Sequence, residues 1–446
     1  MSGESKAPEL GILFQGMGAV ASTVAAGVLA VRRQLAEPIG ALSQVGRLDD
    51  GTPISDLIDL TPLNRVTFGG WDIFGGTMYD ACESAQVLQP SLLHQLKEEL
   101  AEIVAMPGAF DPAYVRRLNG THVLPKGRRG WVEAIRDDIR RFKQQHQLER
   151  CVLVNCSSTE SFRQLAPQHQ TLPAFERALD LDDPVISPSM VYAYAALLER
   201  VPYANGTPSL AADIPALSQL AWERRVPIAG KDFKTGQTLV KTVIAPMFKA
   251  RALGLNGWFS TNILGNRDGE VLSDPDNFKT KEQTKLGVLH NILSPQRQPG
   301  LYGNIHHEVR INYYRPRGDE KEGWDNIDFF GWLGYPMQMK INLLCRDSIL
   351  AAPIVLDLAL FLDAAQMAER RGEQEWLGFY WKHPVVSDGS EVVHDLFQQQ
   401  ARLHEALRQL GTDLRVRRRS LEAAGAPRVN GIKSVAETSL LPLNGS

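Results

Sequence analysis

The stretch from Lys231 to Lys285 holds the residue types best suited to chemistry. Its first part, Ala229-Gly-Lys-Asp-Phe-Lys-Thr-Gly-Gln-Thr238, follows an expected strand and sets Lys231, Asp232 and Lys234 among small residues ahead of an expected helix. A second expected strand ends at Ser260 and leads into Thr261-Asn262-Ile-Leu-Gly265-Asn266-Arg267-Asp268-Gly269. Charged and polar residues just beyond the carboxyl ends of sheet strands are usual site positions. Lys279, Lys281 and Lys285 come next, and the i,i+4 spacing of the last two lets a helix aim both the same way. Two ammonium groups held side by side repel each other, but a phosphate between them stabilises both. The plainer account of the lysines is a solvated basic helix face, and the two polar strand ends leading into them weigh against it.

Other candidates lie farther along. Lys321 stands in Gly318-Asp-Glu-Lys, Asp347 in Cys345-Arg-Asp-Ser, and Lys382 in Tyr380-Trp-Lys-His-Pro. A lysine among aromatic residues either snorkels to water or has its pKa depressed for catalysis. His306-His307 could suggest a metal, but adjacent strand residues point to opposite faces, which favours surface positions. The chain has no HExxH, GxSxG or P-loop, so those hydrolase and nucleotidase classes find no support.

Near the amino end, Gly16-Met17-Gly18-Ala19-Val20-Ala21 follows an expected strand, Leu10 to Gln15, and precedes an expected helix, Ala19 to Leu35. Such a turn exposes backbone N–H groups at a helix N-terminus, where a pyrophosphate binds. Alone it fits close packing equally well. The acidic ribose partner expected about twenty residues on is not evident, because Glu37 sits beside Pro38 in an expected loop.

These residues need a large scaffold. The chain has 446 residues, 43% hydrophobic and 22% charged, which suggests more than one folded region. A net charge of -3 offers no basic field for nucleic acid, and Arg415 to Arg419 reads as a solvated helix end. Sparse cysteines, Cys82, Cys151, Cys156 and Cys345, without CxxC spacing fit a reducing, cytoplasmic setting. The uncharged run Leu10 to Val31 imitates a membrane span, but Gln15, its glycines and the trailing Arg32 and Arg33 argue against one.

The apolar runs Leu10 to Gln15, Arg150 to Val154, Val226 to Ala229 and Leu255 to Ser260 read as strands of a largely parallel sheet. Pro90 to Val104, Trp131 to Gln147 and Ile214 to Arg224 have helical periodicity. Val309 to Tyr314, Asn326 to Phe330 and Met337 to Leu344 read as strands without intervening helices, hence a second, antiparallel or mixed sheet. Ile349 to Arg371 and Glu391 to Leu410 read as helices, and the tail after Ser420 as loosely held.

The chain resembles the inositol-3-phosphate synthase (myo-inositol-1-phosphate synthase) family, especially its shorter archaeal-type members. The likeness runs from about Leu10 to Pro384 through GMGAVAST, FGGWDI, VNCSSTE, YAYAALLERVPYANGTPS, AGKDFKTGQTLVKT, STNILGNRDG, TKEQTK, GDEK, RDSILAAP and FYWKHP, in order. It implies an α/β fold with a Rossmann-like NAD-binding domain over 1–232. A mixed-sheet α+β catalytic and tetramerisation domain would span 233–346, and helices in 347–446 would complete the first domain.

The implied activity converts D-glucose 6-phosphate to 1D-myo-inositol 3-phosphate through NAD-mediated oxidation at C5, enolisation, aldol closure and reduction. Such chemistry calls for cations at the C5 and C1 oxyanions and at the phosphate. By resemblance Lys281 and Lys382 polarise reacting oxygens and shuttle protons, while Lys285 and Lys321 hold the phosphate or the C5 oxygen. Asp232, Asn262, Asp268, Asp319 and Asp347 orient substrate, lysines or nicotinamide. Asp72 takes the adenosine ribose. The other cofactor contacts implied are Gly16, Met17, Gly18, Ala19, Val20, Asn155, Ser157, Thr159 and Gly230, with Asp232 and Asp268 shared. An activating cation of unknown identity, a homotetramer, and no nucleic-acid or membrane partner complete the expectation. Lys231 and Lys234 are read as neighbours of Asp232, not catalysts. The competing reading is an NAD-dependent dehydrogenase, or a related cyclase, acting on another sugar phosphate.

Overall fold

The computed structural model describes residues 9–125, 127–387 and 389–423, without the side chains of 278 and 280–286. The uncharged amino-terminal run divides at Gly16 into a fully buried strand, β1 (Leu10–Gln15), and the helix Ala19–Arg32. Strands β2 (Val66–Asp72), β3 (Met106–Pro107), β4 (Arg150–Asn155), β5 (Tyr203–Asn205) and β6 (Pro227–Gly230) join β1 in a parallel sheet. Its order is β11-β6-β5-β4-β1-β2-β3, where β11 (Gly372–Glu373) returns late in the chain to extend the β6 edge. The order runs in opposite directions on either side of β1, so a crevice opens beyond the carboxyl ends of β1 and β4, as in Rossmann-like folds.

Alternation along the strands sends side chains to two cores. Leu10, Ile12, Phe14, Val152 and Val154 pack with the helices Ala19–Arg32 and Asp347–Met367. Leu13, Cys151 and Leu153 pack with Arg128–His146, Pro188–Leu198 and Pro215–Arg224. The helix Asp347–Met367 is apolar on all sides because it is inserted in the core, not at a surface.

The second sheet is mixed and contains β7 (Gly254–Leu264), β8 (His306–Tyr313), β9 (Glu320–Phe330) and β10 (Pro336–Arg346), in the order β10-β9-β7-β8. β7 pairs parallel with β8 and antiparallel with β9, and β9 pairs antiparallel with β10. The run Leu255 to Ser260, expected in the parallel sheet, is instead a central strand here. A buried strand shows the same apolar run in either kind of sheet, so composition does not separate them. The expected helix Pro90 to Val104 breaks at Leu96 into Pro90–Gln95 and Lys97–Ala101. The last helix starts at Leu396, five residues after its expected start at Glu391, and runs to Ala423.

One face of the mixed sheet closes on Phe248, Trp258, Val288, Leu289 and Ile327. Its other face and its β9–β10 turn leave Trp324, Trp332, Leu333, Tyr335 and Leu344 exposed.

Candidate active site

The turn after β1 is shaped by contacts that exclude a side chain. Gly16 has φ +87°, and a Cβ there would lie 2.7 Å from the Ser157 Cα. Gly18 precedes the helix Ala19–Arg32, whose N-terminus has no side-chain cap and no acidic residue in its first turn. Its orphan N–H groups therefore suit an anion, and Ala19 and Val20 lie half-buried beside them. Asp72, at the end of β2, accepts the Met17 N–H at 2.8 Å and the Phe74 N–H at 2.9 Å. Burial raises its pKa above the ordinary carboxylate range, and the two N–H bonds oppose that rise. A glycine turn, an uncapped helix and a strand-end carboxylate together fit a dinucleotide.

The loop after β4 forms the facing wall. Asn155 is fully buried, and its Oδ1 accepts both the N–H and the hydroxyl of Ser157, at 3.0 and 2.7 Å. Its Nδ2 reaches Ser189 and Asn205. The Asn155 amide thus holds Ser157 against Gly16. Thr159 donates to Asp268 at 3.3 Å, which joins this loop to the segment beyond β7.

Gly230 ends β6, and the chain after it runs beside 380–385. The Lys231 N–H donates to the His383 carbonyl at 2.7 Å, and the Lys382 N–H donates to the Asp232 carbonyl at 2.7 Å. Alternation along these paired segments separates two sets of side chains. Asp232 and Lys382 meet through Oδ1 and Nζ at 2.9 Å, both buried. Lys231 instead pairs with Asp213 at 2.6 Å, and with His383 and Glu160 it lines a separate cavity of about 300 Å³. Burial pushes the Glu160 carboxyl up to about 7. Lys234 is buried against the Phe379 ring and donates to Gln399; burial lowers its pKa to about 7.

A second lysine pair lies nearby. Lys321 donates to Asp347 Oδ2 at 3.1 Å, and the Thr235 hydroxyl donates to Asp347 Oδ1 at 2.7 Å. Asp347 opens the helix Asp347–Met367, where the positive end of the dipole favours a carboxylate. Asp319 accepts the Ser348 N–H at 3.1 Å and hydroxyl at 2.7 Å, and burial raises its pKa. Asn262 is buried on β7 and donates to Gln237. The fold thereby links Asp232, Lys382, Lys321 and Asp347 through the segment 231–237. Lys281 and Lys285 belong to the helix Pro275–Leu293, but their side chains lie outside the described residues.

Thr235 and Gln237 lie within the motif AGKDFKTGQTLVKT but are not among the residues the sequence marks as candidates. The usable signal was their place between a strand end and a helix start, since Gly236–Ala250 follows at once and its N-cap Thr235 makes no side-chain cap bond. His307, expected at the surface, is half-buried with Nε2 at 2.8 Å from Lys241 Nζ. Among the described residues no three His, Cys, Asp or Glu side chains converge as a metal site.

Comparison with known proteins agrees with this geometry. The family profile described as myo-inositol-1-phosphate synthase, an NAD-binding unit, matches residues 10–408. An inositol-3-phosphate synthase of Bacteroides thetaiotaomicron is 52% identical over 409 residues, covering 90% of this chain and 95% of that protein. One from Oryza sativa is 31% identical over 438 residues, covering 90% and 86%. The crystal structure of the Caenorhabditis elegans inositol-3-phosphate synthase superposes with a TM-score of 0.83 at 25% identity, covering 91% of this chain and 86% of that one. With a strand-turn-helix fitted to a dinucleotide and this extent of identity, the chain belongs to the myo-inositol-1-phosphate synthase family.

Proposed function

We propose that the chain converts D-glucose 6-phosphate to 1D-myo-inositol 3-phosphate with NAD as a cofactor that is neither consumed nor reduced overall. The observation that carries this reading is the pair of lysine–aspartate contacts, Lys382–Asp232 and Lys321–Asp347, joined through one strand-end segment. A net dehydrogenase needs cationic help at one oxygen. Ring closure by aldol attack of C6 on C1 needs it at two oxyanions, besides the phosphate.

NAD supplies, when bound, a hydride acceptor and donor for C5. Gly16, Met17, Gly18, Ala19 and Val20 would hold its pyrophosphate and Asp72 its ribose, while Ser157, Thr159, Gly230 and Asp268 would contact the rest of the cofactor, with Asn155 behind Ser157. Lys382 and Lys321 face the oxyanions and the phosphate as ammonium groups, each kept in place by its carboxylate. Asp319 positions the start of the helix Asp347–Met367, and Asn262 orients the sugar. Lys281 and Lys285 join this set on the family resemblance alone. The uncapped N-terminus of Gly236–Ala250 adds backbone donors suited to a phosphate.

The residue division at 232 and 346 belongs to the same reading. Strands up to Gly230, with β11, make the parallel sheet, and those from Gly254 to Arg346 make the mixed one. The open face of the mixed sheet, with its exposed aromatic residues, supports a homotetramer. Four free cysteines support a cytoplasmic setting.

The test is incubation with glucose 6-phosphate and substoichiometric NAD⁺, followed by carbon and phosphorus NMR and absorbance. Cyclitol phosphate accumulating over many turnovers without NADH is the expected result. Stoichiometric NADH with an oxidised sugar would overturn it.

A further inference from the structure

Asp325 occupies the buried face of β9 with 1% of its surface exposed. Its Oδ1 accepts the Trp258 Nε1–H at 2.7 Å and the Ser260 hydroxyl at 2.6 Å, both from β7. Its Oδ2 accepts from Gln237 Nε2 at 3.0 Å. The same Nε2 also faces the carbonyl oxygens of Thr261 and Trp324, at 3.1 and 3.0 Å. Three acceptors around one nitrogen determine which end of the Gln237 amide points into the sheet.

The other end, Oε1, accepts from Asn262 Nδ2. That bond fixes the sense of the second amide, and Asn262 Oδ1 accepts from no described residue. Gly323 lies between Lys321 and Asp325 on the same face of β9, and a Cβ there would come within 2.9 Å of Gln237 Cγ. The absence of a side chain at 323 is therefore what admits Gln237 to the sheet.

We propose that Asp325 is a positioning residue that sets the hydrogen-bond polarity of Gln237 and, through it, of Asn262. Asn262 then presents an acceptor, Oδ1, to a hydroxyl of the sugar. The need is chemical: lysine ammonium groups donate only, and Asp232 and Asp347 are engaged with lysines, whereas a polyol has hydroxyl protons that require acceptors. The inference rests on the proposed function, which assigns Asn262 to the substrate.

The test compares the parent with Asp325→Asn and Asn262→Ala, using competitive inhibition by 2-, 3- and 4-deoxyfluoro-glucose 6-phosphates. Fluorine keeps size and weak acceptor character but cannot donate. In the parent, one of these analogues should bind roughly tenfold more weakly than expected from its siblings, the cost of about one hydrogen bond. In Asp325→Asn the new amide keeps Trp258 and Ser260 on its oxygen and turns a donor toward Gln237 Nε2, a repulsion that opposes the orientation the Thr261 and Trp324 carbonyls still favour, so the polarity is no longer fixed. That variant should stay folded with parent-like NAD affinity, its melting temperature lowered by a few degrees for the buried donor pair, lose kcat on the order of a hundredfold, and show the analogue penalty reduced to about twofold or less. Asn262→Ala should erase the same penalty with Asp325 intact, which keeps the test decisive if Asp325→Asn folds poorly. An unchanged penalty in either variant, or parent-like kcat in Asp325→Asn, would overturn the inference while leaving the synthase reading standing. A parent that does not turn over glucose 6-phosphate would overturn both.

Discussion

Lys382 Nζ lies 2.9 Å from Asp232 Oδ1, the two residues 150 positions apart in the chain and both side chains almost free of solvent. Their backbones are paired as well, so the contact is set by the ladder between the two segments and not by the ends of two flexible chains.

Lys382→Met leaves Asp232 buried without this counter-charge, and it should cost about 3–5 kcal/mol of stability. Activity should fall on the order of a thousandfold. Asp232→Asn combined with Lys382→Met should recover most of the melting temperature and none of the turnover. Thermal unfolding and NMR turnover of the three variants check this, and an active double variant would refute the role of Lys382.

Gly16→Ala places a Cβ 2.7 Å from the Ser157 Cα at φ +87°. The turn must shift, and about 1–2 kcal/mol of strain is expected there. NAD affinity should drop roughly tenfold or more, since about 1.4 kcal/mol is a factor of ten. Titration calorimetry with NAD⁺ measures it, and parent-like affinity would mean that the pyrophosphate does not use this turn.

Lys234 gives a pH signature. Burial lowers its pKa to about 7, while in an unfolded chain a lysine stays protonated to about pH 10. Between those values the unfolded state holds the extra proton, so the parent gains stability as pH rises. Below about pH 7 both states are protonated and the penalty is constant. Lys234→Met, which removes the penalty along with the bond to Gln399, should therefore have its greatest advantage, or least disadvantage, at pH 7 and below. The parent should gain on it steadily toward pH 10. Melting temperatures of both proteins from pH 6 to 10 test this, and a constant difference would be contrary to it.

The open face of the mixed sheet should be the assembly surface. Trp332, Leu333 and Tyr335 are 87%, 77% and 68% exposed at the turn between β9 and β10. Trp332→Glu with Tyr335→Glu should reduce the mass measured by light scattering from that of a tetramer to that of a dimer or monomer. A parent already monomeric at micromolar concentration would exclude the assembly.

Much was legible from residue order alone. β1, the glycine turn and the following helix could be read because an apolar run, two glycines and an alanine-rich stretch are local signals. The strand-end loop carrying Asp232 is legible for the same reason, whereas the strand expected to end at Ser260 runs on to Leu264 and holds Asn262 within its ladder, because strand length is set by the partners β8 and β9. The strand β2 was missed as an element, since Val66–Asp72 includes two glycines and looks like a turn, although Asp72 was singled out by resemblance. Leu255 to Ser260 was placed in the wrong sheet because pairing partners are not encoded in a strand's own composition.

By itself the sequence determined which residues could take part: lysines for oxyanions, carboxylates to hold them, glycines where a dinucleotide approaches the backbone. Local periodicity also marked several of the longer helices and strands, because those depend on neighbours two to four positions away, while Leu172–Asp180, Pro188–Leu198 and the short strands Met106–Pro107 and Tyr203–Asn205 went unread. Only the tertiary structure decided which lysine meets which carboxylate. Lys231 stands next to Asp232 in the chain and Lys382 next to no carboxylate, yet alternation along two paired segments sends Lys231 to Asp213 and Lys382 to Asp232. The amide relay from Asp325 through Gln237 to Asn262 is of the same kind. It depends on a missing side chain at Gly323 and on the register of β7 with β9, and hydrogen-bond sense across a sheet has no signature in linear sequence.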